Sequence, residues 1–278
     1  MPEPTFFCIG AQKGGTRWLY DQLNAHPEFW MPPIKELHFF DGTFNERFRR
    51  SNRDRLKRKS QENTLSERDA LFARQAEILS KSLFNRLERY TELFAPRGEL
   101  QSGDITPAYS TLPSRTIRKI RARLPELKII YLCRDPVARF WSQYCQHIRQ
   151  GRTGLPAPDD VNALVRYVDR RGVANRSFPT QTIRRWREHF PAMHICLFDD
   201  IRDKPDKARQ GILEYLGAKP ATTSSLDAGF NRKASNKRIE MPGAVREALV
   251  KRFADELLAC ADMLGGAAAD WPARYGLK

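Results

Sequence analysis

The residues best suited to chemistry lie near the amino terminus, between Phe6 and Leu19. A short apolar run of strand type, Phe6 to Ile9, is broken by glycines and followed by a helical pattern that puts Leu19 and Leu23 on one face. Glycines let the backbone approach a ligand closely, and the unpaired N–H groups of a first helical turn point towards it. This stretch therefore predicts a loop that binds a phosphate or a similar anion.

The loop matches a nucleotide P-loop in spacing but not in residue types. Gly10 and Gly15 have the spacing of G-x-x-x-x-G-K-[ST], but Thr16 stands where that motif has its lysine, and Arg17 where it has the magnesium-binding hydroxyl. The cation lies inside the loop instead, at Lys13. This arrangement argues against a magnesium-dependent NTPase and favours a different phosphate-bearing ligand.

A second group of polar residues follows the most apolar strand pattern, at 128–133. Arg134 comes directly after it, Asp135 and Pro136 are suited to begin the next helix, and Ser142 lies within that helix. Ligands of open α/β sheets bind at the carboxyl ends of strands. The two groups together predict a ligand that is phosphorylated at two separate places.

Glu36 and His38 offer an acid–base pair. In an extended segment over 34–41 they share one face, while Leu37 and Phe39 point to the other. A carboxylate beside a hydroxyl can accept its proton during group transfer. The alternative is an ordinary half-buried strand with a polar outer side.

Strand and helix patterns alternate along the chain. This alternation predicts an α/β fold with a central, mainly parallel sheet flanked by helices, in a P-loop-like architecture. We predict one domain over residues 1–278, with a basic helical insertion at about 44–95. In the insertion, a mobile basic run at 47–59 precedes one or two amphipathic helices that cover the sheet. We interpret the run as a solvated or disordered surface; the alternative is a gate or a contact for an acidic acceptor.

The composition agrees with a ligand of negative charge. The 278 residues carry a formal net charge of +15, from 48 Lys and Arg against 33 Asp and Glu. Such a charge suits nucleotides, acidic glycans or nucleic acid, or it serves only solubility. No stretch predicts a membrane span or a signal peptide, and the 5 cysteines form no C-x-x-C pair. We therefore expect reduced core thiols and a cytoplasmic location.

The combined motifs resemble a known family. Gly10 to Arg17, together with Arg134-Asp135-Pro136 and Ser142, looks like the two nucleotide-binding motifs of the sulfotransferases that use 3'-phosphoadenosine 5'-phosphosulfate (PAPS). The form Lys-Gly-Gly-Thr-Arg, followed by Glu-Leu-His-Phe-Phe-Asp, is similar to the heparan sulfate branch of this family. The Thr-Pro-Ala-Tyr element at 106–109 is also similar to that branch.

The resemblance implies sulfuryl transfer from PAPS to a hydroxyl, with 3'-phosphoadenosine 5'-phosphate (PAP) as product and no metal required. In the family, the first loop binds the 5'-phosphosulfate and its lysine reaches the bridging oxygen, which fits Lys13. Gly14, Gly15, Thr16 and Arg17 would hold the same phosphate.

The resemblance also assigns the 3'-phosphate contact to Arg134 and Ser142. Lys237 and Arg238 lie where the family has a late basic loop that closes over the cofactor.

On the acceptor side, Glu36 occupies the position of the branch's catalytic glutamate. His38 would be its orienting partner or substitute, and Asp41 would fix the loop. Ile105 stands where relatives that act on heparan sulfate have a lysine for the acidic glycan, and their Golgi anchor and lumenal disulfide have no visible counterpart. We therefore expect a soluble, bacterial-type enzyme acting on another hydroxyl, of a carbohydrate, lipid headgroup, phenol or small alcohol. The oligomeric state stays open.

Two other functions remain as alternatives. One is a P-loop kinase or NTPase that uses ATP and magnesium. The other is a non-enzymatic protein that binds polyanions through the basic run at 47–59. Basic motifs interleaved with aromatic residues, typical of single-strand binders, are missing from the sequence, so no specific nucleic-acid partner is expected.

Overall fold

The structure, a computed structural model, describes residues 2–48, 53–61, 65–81, 87–220, 225–230 and 239–277. Within this part of the chain lie the strands β1 (Phe6–Cys8), β2 (Gly103–Ile105), β3 (Lys128–Cys133) and β4 (His194–Leu197). The described strands form one four-stranded sheet in the order β2-β1-β3-β4, and every neighbouring pair is parallel. The predicted parallel sheet is confirmed.

Helices flank this sheet on both faces. The helices before β3 are α1 (Thr16–Asn24), α2 (Phe44–Arg47), α3 (Arg53–Gln61), α4 (Glu67–Lys81), α5 (Leu87–Glu92) and α6 (Ser114–Arg123). After β3 come α7 (Pro136–Arg149), α8 (Val161–Val168), α9 (Arg171–Ala174), α10 (Pro179–Arg187), α11 (Phe198–Asp203), α12 (Pro205–Leu216), α13 (Gly243–Leu264) and α14 (Trp271–Arg274). Short 3-10 helices are present at Ala95–Arg97, Pro107–Thr111 and Gly266–Ala268.

Alternating side chains of the strands divide the core into two layers. In β3, Ile129 and Tyr131 pack with the core formed by α4, α7, α10 and α13, whereas Ile130 and Leu132 pack with α1 and α12. This is expected for a strand buried on both faces, because successive side chains point to opposite sides. The carboxyl ends of β1 and β3 therefore meet at one edge, between α1 and α7.

In the described part of the region at 44–95, the helices α2 to α5 pack on one face of the sheet. Phe72 and Leu79 of α4 are fully buried, whereas Leu71 and Ile78 of the same helix are exposed. Part of the predicted basic run, Arg53–Gln61, forms the helix α3, and buried Leu56 packs that helix against the core.

All 5 cysteines are free and buried. Among the helices of the described residues, none combines the length and apolar character needed to cross a bilayer.

Candidate active site

The predicted anion loop leaves β1 and enters α1 at Gly15, which has a φ of 101° and provides no side-chain cap. The first N–H groups of α1 are therefore left for a ligand. The loop lies directly against β3: Ala11 N–H donates to Leu132 O at 2.8 Å, and Leu132 N–H donates to Gly10 O at 2.7 Å. A Cβ at Gly14 would lie 2.4 Å from Leu132 O, so this contact leaves no room for a side chain.

Lys13 connects the loop to the second motif. Its Nζ donates to Gln146 Oε1 at 2.8 Å, and its carbonyl oxygen accepts from Arg134 Nη1 at 2.8 Å. Lys13 has a φ of 72°, a left-handed conformation that is unfavourable for a residue with a side chain and is typical of functional sites. The structure thus brings Lys13 and Arg134 together at the edge where β1 and β3 end.

Arg134 lies in a partly apolar setting. Its guanidinium carbon is 4.3 Å from the centre of the Phe198 ring, and burial lowers the pKa of Arg134 from its usual value. Asp135 begins α7 as predicted, accepting from Val137 N–H at 2.8 Å and from Ala138 N–H at 3.2 Å.

The other predicted donor-site residues differ in exposure. Thr16 is buried at the start of α1, and Arg17 Nη1 lies 4.0 Å from Asp21 Oδ1 on the same helix. Ser142 is half-buried in α7, the helix that also carries Gln146.

Lys237 and Arg238 lie outside the described residues. On either side of this stretch, the chain is tied to the helices of both motifs. Trp18 Nε1 of α1 donates to Ala228 O at 2.7 Å, and Trp141 Nε1 of α7 donates to Ile239 O at 2.9 Å.

The segment with Glu36 and His38 is not a strand, so the predicted extended conformation is wrong. Glu36 has a φ of 71° and His38 a φ of 58°, so the chain turns twice through left-handed geometry. Side chains rather than a neighbouring strand hold its backbone. His38 N–H donates to Thr106 Oγ1 at 3.4 Å, and Phe39 N–H donates to Tyr109 Oη at 3.0 Å.

Asp104 of β2 is the centre of this support. Its buried carboxyl group accepts from Thr106 Oγ1 at 2.6 Å, Tyr109 Oη at 2.7 Å, Tyr90 Oη at 3.0 Å and Leu37 N–H at 3.4 Å. Burial raises the pKa of Asp104, although these donors act in the opposite direction. Because Asp104 pairs in register with Phe7 of β1, the Glu36 segment is held at the same edge as the anion loop.

Glu36 and His38 do meet, although not across a strand. His38 Nε2 lies 3.4 Å from Glu36 Oε2, and Lys35 Nζ lies 2.7 Å from Glu36 Oε1. Burial opposes ionisation, but Lys35 and His38 outweigh it and lower the pKa of Glu36 to about 2. The Glu36 side chain is 38% exposed, against 4% for His38, so the carboxylate can be reached from solvent.

His38 is held from its other side by Asp41. Nδ1 of His38 donates to Asp41 Oδ2 at 2.6 Å, while Thr43 N–H and Oγ1 donate to Asp41 Oδ1 at 3.2 and 3.0 Å. Burial disfavours the imidazolium, yet the contacts with Asp41 and Glu36 raise the pKa of His38 overall. These contacts agree with the predicted loop-fixing position of Asp41.

Sequence reasoning missed two contributors. Gln146 lies one helical turn after Ser142, so the i, i+4 spacing on α7 was a usable signal. Arg176 donates from Nη1 to Gln12 Oε1 at 3.1 Å, and nothing in its local sequence points to that contact. Within the described residues, no three His, Cys, Asp or Glu side chains are grouped as ligands for a metal ion.

Comparisons with known proteins find a family model that matches most of the chain and solved structures of the same fold. The model described as "Sulfotransferase family" matches residues 4–221. A sulfotransferase from Alicyclobacillus acidocaldarius has a TM-score of 0.66 and 21% identity, with 98% of this chain and 99% of that chain covered. A sulfotransferase domain from the curacin biosynthetic pathway has a TM-score of 0.55 and 17% identity, with 91% and 98% covered. These two structures share the fold of the present chain.

Proposed function

Because the chain belongs to the sulfotransferase family, we propose that it moves a sulfuryl group from PAPS to a hydroxyl of an acceptor and releases PAP. The contact between Arg134 Nη1 and Lys13 O, at 2.8 Å, is the observation that carries this proposal. Through this contact the glycine loop and the residues after β3 lie side by side, which supports a donor with separate 5' and 3' phosphate groups. In the reaction, the acceptor oxygen bonds to sulfur, the bond from sulfur to the 5'-phosphate oxygen breaks, and the hydroxyl proton leaves.

Lys13 would act on the leaving group. Negative charge grows on the 5'-phosphate as its bond to sulfur breaks, and a fixed cation at that point lowers the barrier. Gln146 keeps the Lys13 ammonium group beside the loop, and the free N–H groups after Gly15 would hold the phosphate oxygens. In-line positioning and charge stabilisation then suffice without covalent catalysis, and without the metal that a nucleotide P-loop uses.

The 3'-phosphate would be bound by Arg134 and Ser142, with Lys237 and Arg238 closing over the donor. Arg134 is already oriented by Lys13 and by the Phe198 ring, so it needs little rearrangement to bind an anion. This contact would distinguish PAPS from adenine nucleotides that lack a 3'-phosphate.

Glu36 would take the proton of the acceptor hydroxyl. With a pKa of about 2, it is fully ionised at neutral pH but only weakly basic while Lys35 is bound to it. An acceptor hydroxyl that replaces Lys35 at Oε1 would raise the basicity of Glu36 when it is needed. His38, held by Asp41, would orient the carboxylate through Oε2 or replace it as base.

We infer one domain over 1–278 with a helical insertion at 44–95, and an acceptor that is a carbohydrate or another hydroxyl compound. The free, buried state of all 5 cysteines supports a cytoplasmic location.

Two variants test the proposal through labelled sulfate transfer from PAPS and calorimetry with PAP. Lys13→Ala should abolish transfer, and Glu36→Gln should lower turnover by roughly 10²–10⁴-fold while PAP affinity stays within about threefold. Lys207→Ala and Glu126→Gln, at exposed positions away from this edge, are the matched controls. Unchanged turnover in both site variants would contradict the residue roles. Tighter binding of ATP with magnesium than of PAP would instead favour a kinase or NTPase.

A further inference from the structure

A second cation, besides Arg134, contacts the loop. Arg176 lies between α9 and α10, is half-buried, and donates from Nη1 to Gln12 Oε1 at 3.1 Å. Gln12 precedes Lys13, so Arg176 reaches the loop itself. Within the described residues, the hydrogen-bond partner of its guanidinium is this neutral amide, and its backbone N–H donates to Val173 O at 3.2 Å.

Arg176 contacts the loop at the edge of the sheet where the Glu36 segment is also held. Burial lowers its pKa, Arg47 lowers it further, and Asp41 and Glu36 act in the opposite direction. Arg176 is therefore within electrostatic reach of the proposed base. Arg152 also acts on Arg176, and its N–H donates to the carbonyl at the end of α7, at 3.1 Å from His147 O.

Buried hydrogen bonds fix the chain next to Arg176. The next residue, Ser177, is fully buried and accepts from Arg139 Nη2 at 2.6 Å. Arg139 is itself only 1% exposed, and its Nη1 donates to Gln143 Oε1 at 2.8 Å. Among the described residues, both partners of this buried guanidinium are neutral. Through Ser177, this buried guanidinium fixes the chain directly beside Arg176, whose own guanidinium contacts the neutral amide of Gln12.

We propose that the acceptor itself carries an anionic group, a carboxylate, sulfate or phosphate near its hydroxyl, and that Arg176 binds this group beside Glu36. The inference deepens the proposed function and rests on it. Arg152 and Arg47 extend the positive surface around Arg176, and Arg139 is a positioning residue that acts through Ser177. The planar guanidinium of Arg176 can donate two parallel hydrogen bonds to such a group while Nη1 still contacts Gln12.

The test uses the full chain, labelled PAPS and a bacterial cell extract as acceptor source. The extract is divided on an anion-exchange resin at pH 7 into a retained fraction and a flow-through. We expect the wild type to label compounds in the retained fraction. Arg176→Gln should lower that transfer by roughly 10- to 100-fold, the range for loss of a charge-assisted hydrogen bond, and Arg176→Lys should lose less. PAP affinity should change by less than about threefold.

Arg187→Gln is the matched control, since it removes one positive charge from an exposed position on α10. Treating the retained fraction with phosphatase or sulfatase, or esterifying its carboxylates, before the assay identifies which anion is recognised. Labelling confined to the flow-through, or equal transfer by Arg176→Gln and wild type, would overturn the inference and leave the sulfotransferase proposal intact. A tenfold loss of PAP affinity in Arg176→Gln would also overturn it, because Arg176 would then belong to the donor site. No transfer to either fraction would contradict the proposed function itself.

Discussion

Tyr109→Phe tests whether the Tyr109 hydroxyl holds the segment with Glu36 and His38 in place, separately from its effect on the stability of the whole protein. The Tyr109 hydroxyl donates to Asp104 Oδ2 at 2.7 Å and accepts from Phe39 N–H at 3.0 Å. The Tyr90 hydroxyl also donates to Asp104 Oδ2, at 3.0 Å. Tyr90→Phe is therefore the matched control, because it removes the same kind of bond to Asp104 and leaves the Phe39 N–H satisfied.

The expected magnitudes follow from these contacts. Loss of one hydrogen bond to the Asp104 carboxyl group should reduce the free energy of unfolding by about 1–3 kcal/mol in either variant. In Tyr109→Phe the buried Phe39 N–H also loses its partner, which should remove about a further 1–3 kcal/mol. The total for Tyr109→Phe is then about 2–6 kcal/mol.

Two measurements compare the variants. Denaturant unfolding gives the free energies, and amide hydrogen exchange of a peptide covering 34–43 reports the loop. Tyr109→Phe should speed exchange at Leu37 and Phe39, since the left-handed turns at Glu36 and His38 lose their tether. Sulfate transfer should fall on the order of 100-fold from misplacement of Glu36, with PAP affinity unchanged.

Tyr90→Phe should lose stability but keep both the exchange protection of this peptide and most of its turnover. Equal unfolding free energies and equal exchange in the two variants would refute the idea that Tyr109 holds the loop.

Two further predictions concern the donor loop and the histidine. Gly14→Ala should lower the free energy of unfolding by about 1–3 kcal/mol and weaken PAP binding, because the added Cβ would lie 2.4 Å from Leu132 O. Gly172→Ala is the control, measured by the same calorimetry, because a Cβ added at Gly172 has nothing within 4 Å. This variant should be neutral or slightly stabilising. Contacts with Asp41 and Glu36 raise the pKa of His38 in the folded state. The resulting stabilisation of the folded state should therefore be complete below the pKa of His38 in the unfolded chain, about 6.5. This stabilisation should be lost as pH rises through the folded pKa, and it amounts to about 1.4 kcal/mol for each pH unit that separates the folded pKa from the unfolded one. Denaturant titrations from pH 5 to 9 should show the loss in the wild type and not in His38→Gln, and parallel curves would contradict the assignment.

Local sequence features were enough to predict the framework of the fold. The apolar run Lys128–Cys133 is the strand β3, and Asp135 caps the helix that follows. Both depend on near neighbours: a strand buried on both faces is apolar throughout, and a capping carboxylate binds N–H groups two and three residues later. The glycine loop before α1 was likewise predicted from residues that are neighbours in the sequence.

The acceptor side could not be predicted in this way. The spacing of Glu36 and His38 suggested an extended strand, whereas both residues adopt left-handed geometry. Their backbone is held by side chains far along the chain, such as Asp104, which is 67 residues from Leu37. A conformation that is unfavourable locally persists only when distant contacts over-determine it.

The sequence by itself thus determined the parallel sheet and the glycine loop before α1, and it supplied the candidate residues for the proposed sulfuryl transfer. Only the tertiary structure decided how they meet: Lys13 against Gln146, 133 residues away, and Arg176 against Gln12, 164 residues away. The physical reason is range. Periodicity and capping depend on residues that are close together in the sequence, so they can be read from it directly. Contacts between distant chain segments depend instead on how the helices pack around the sheet.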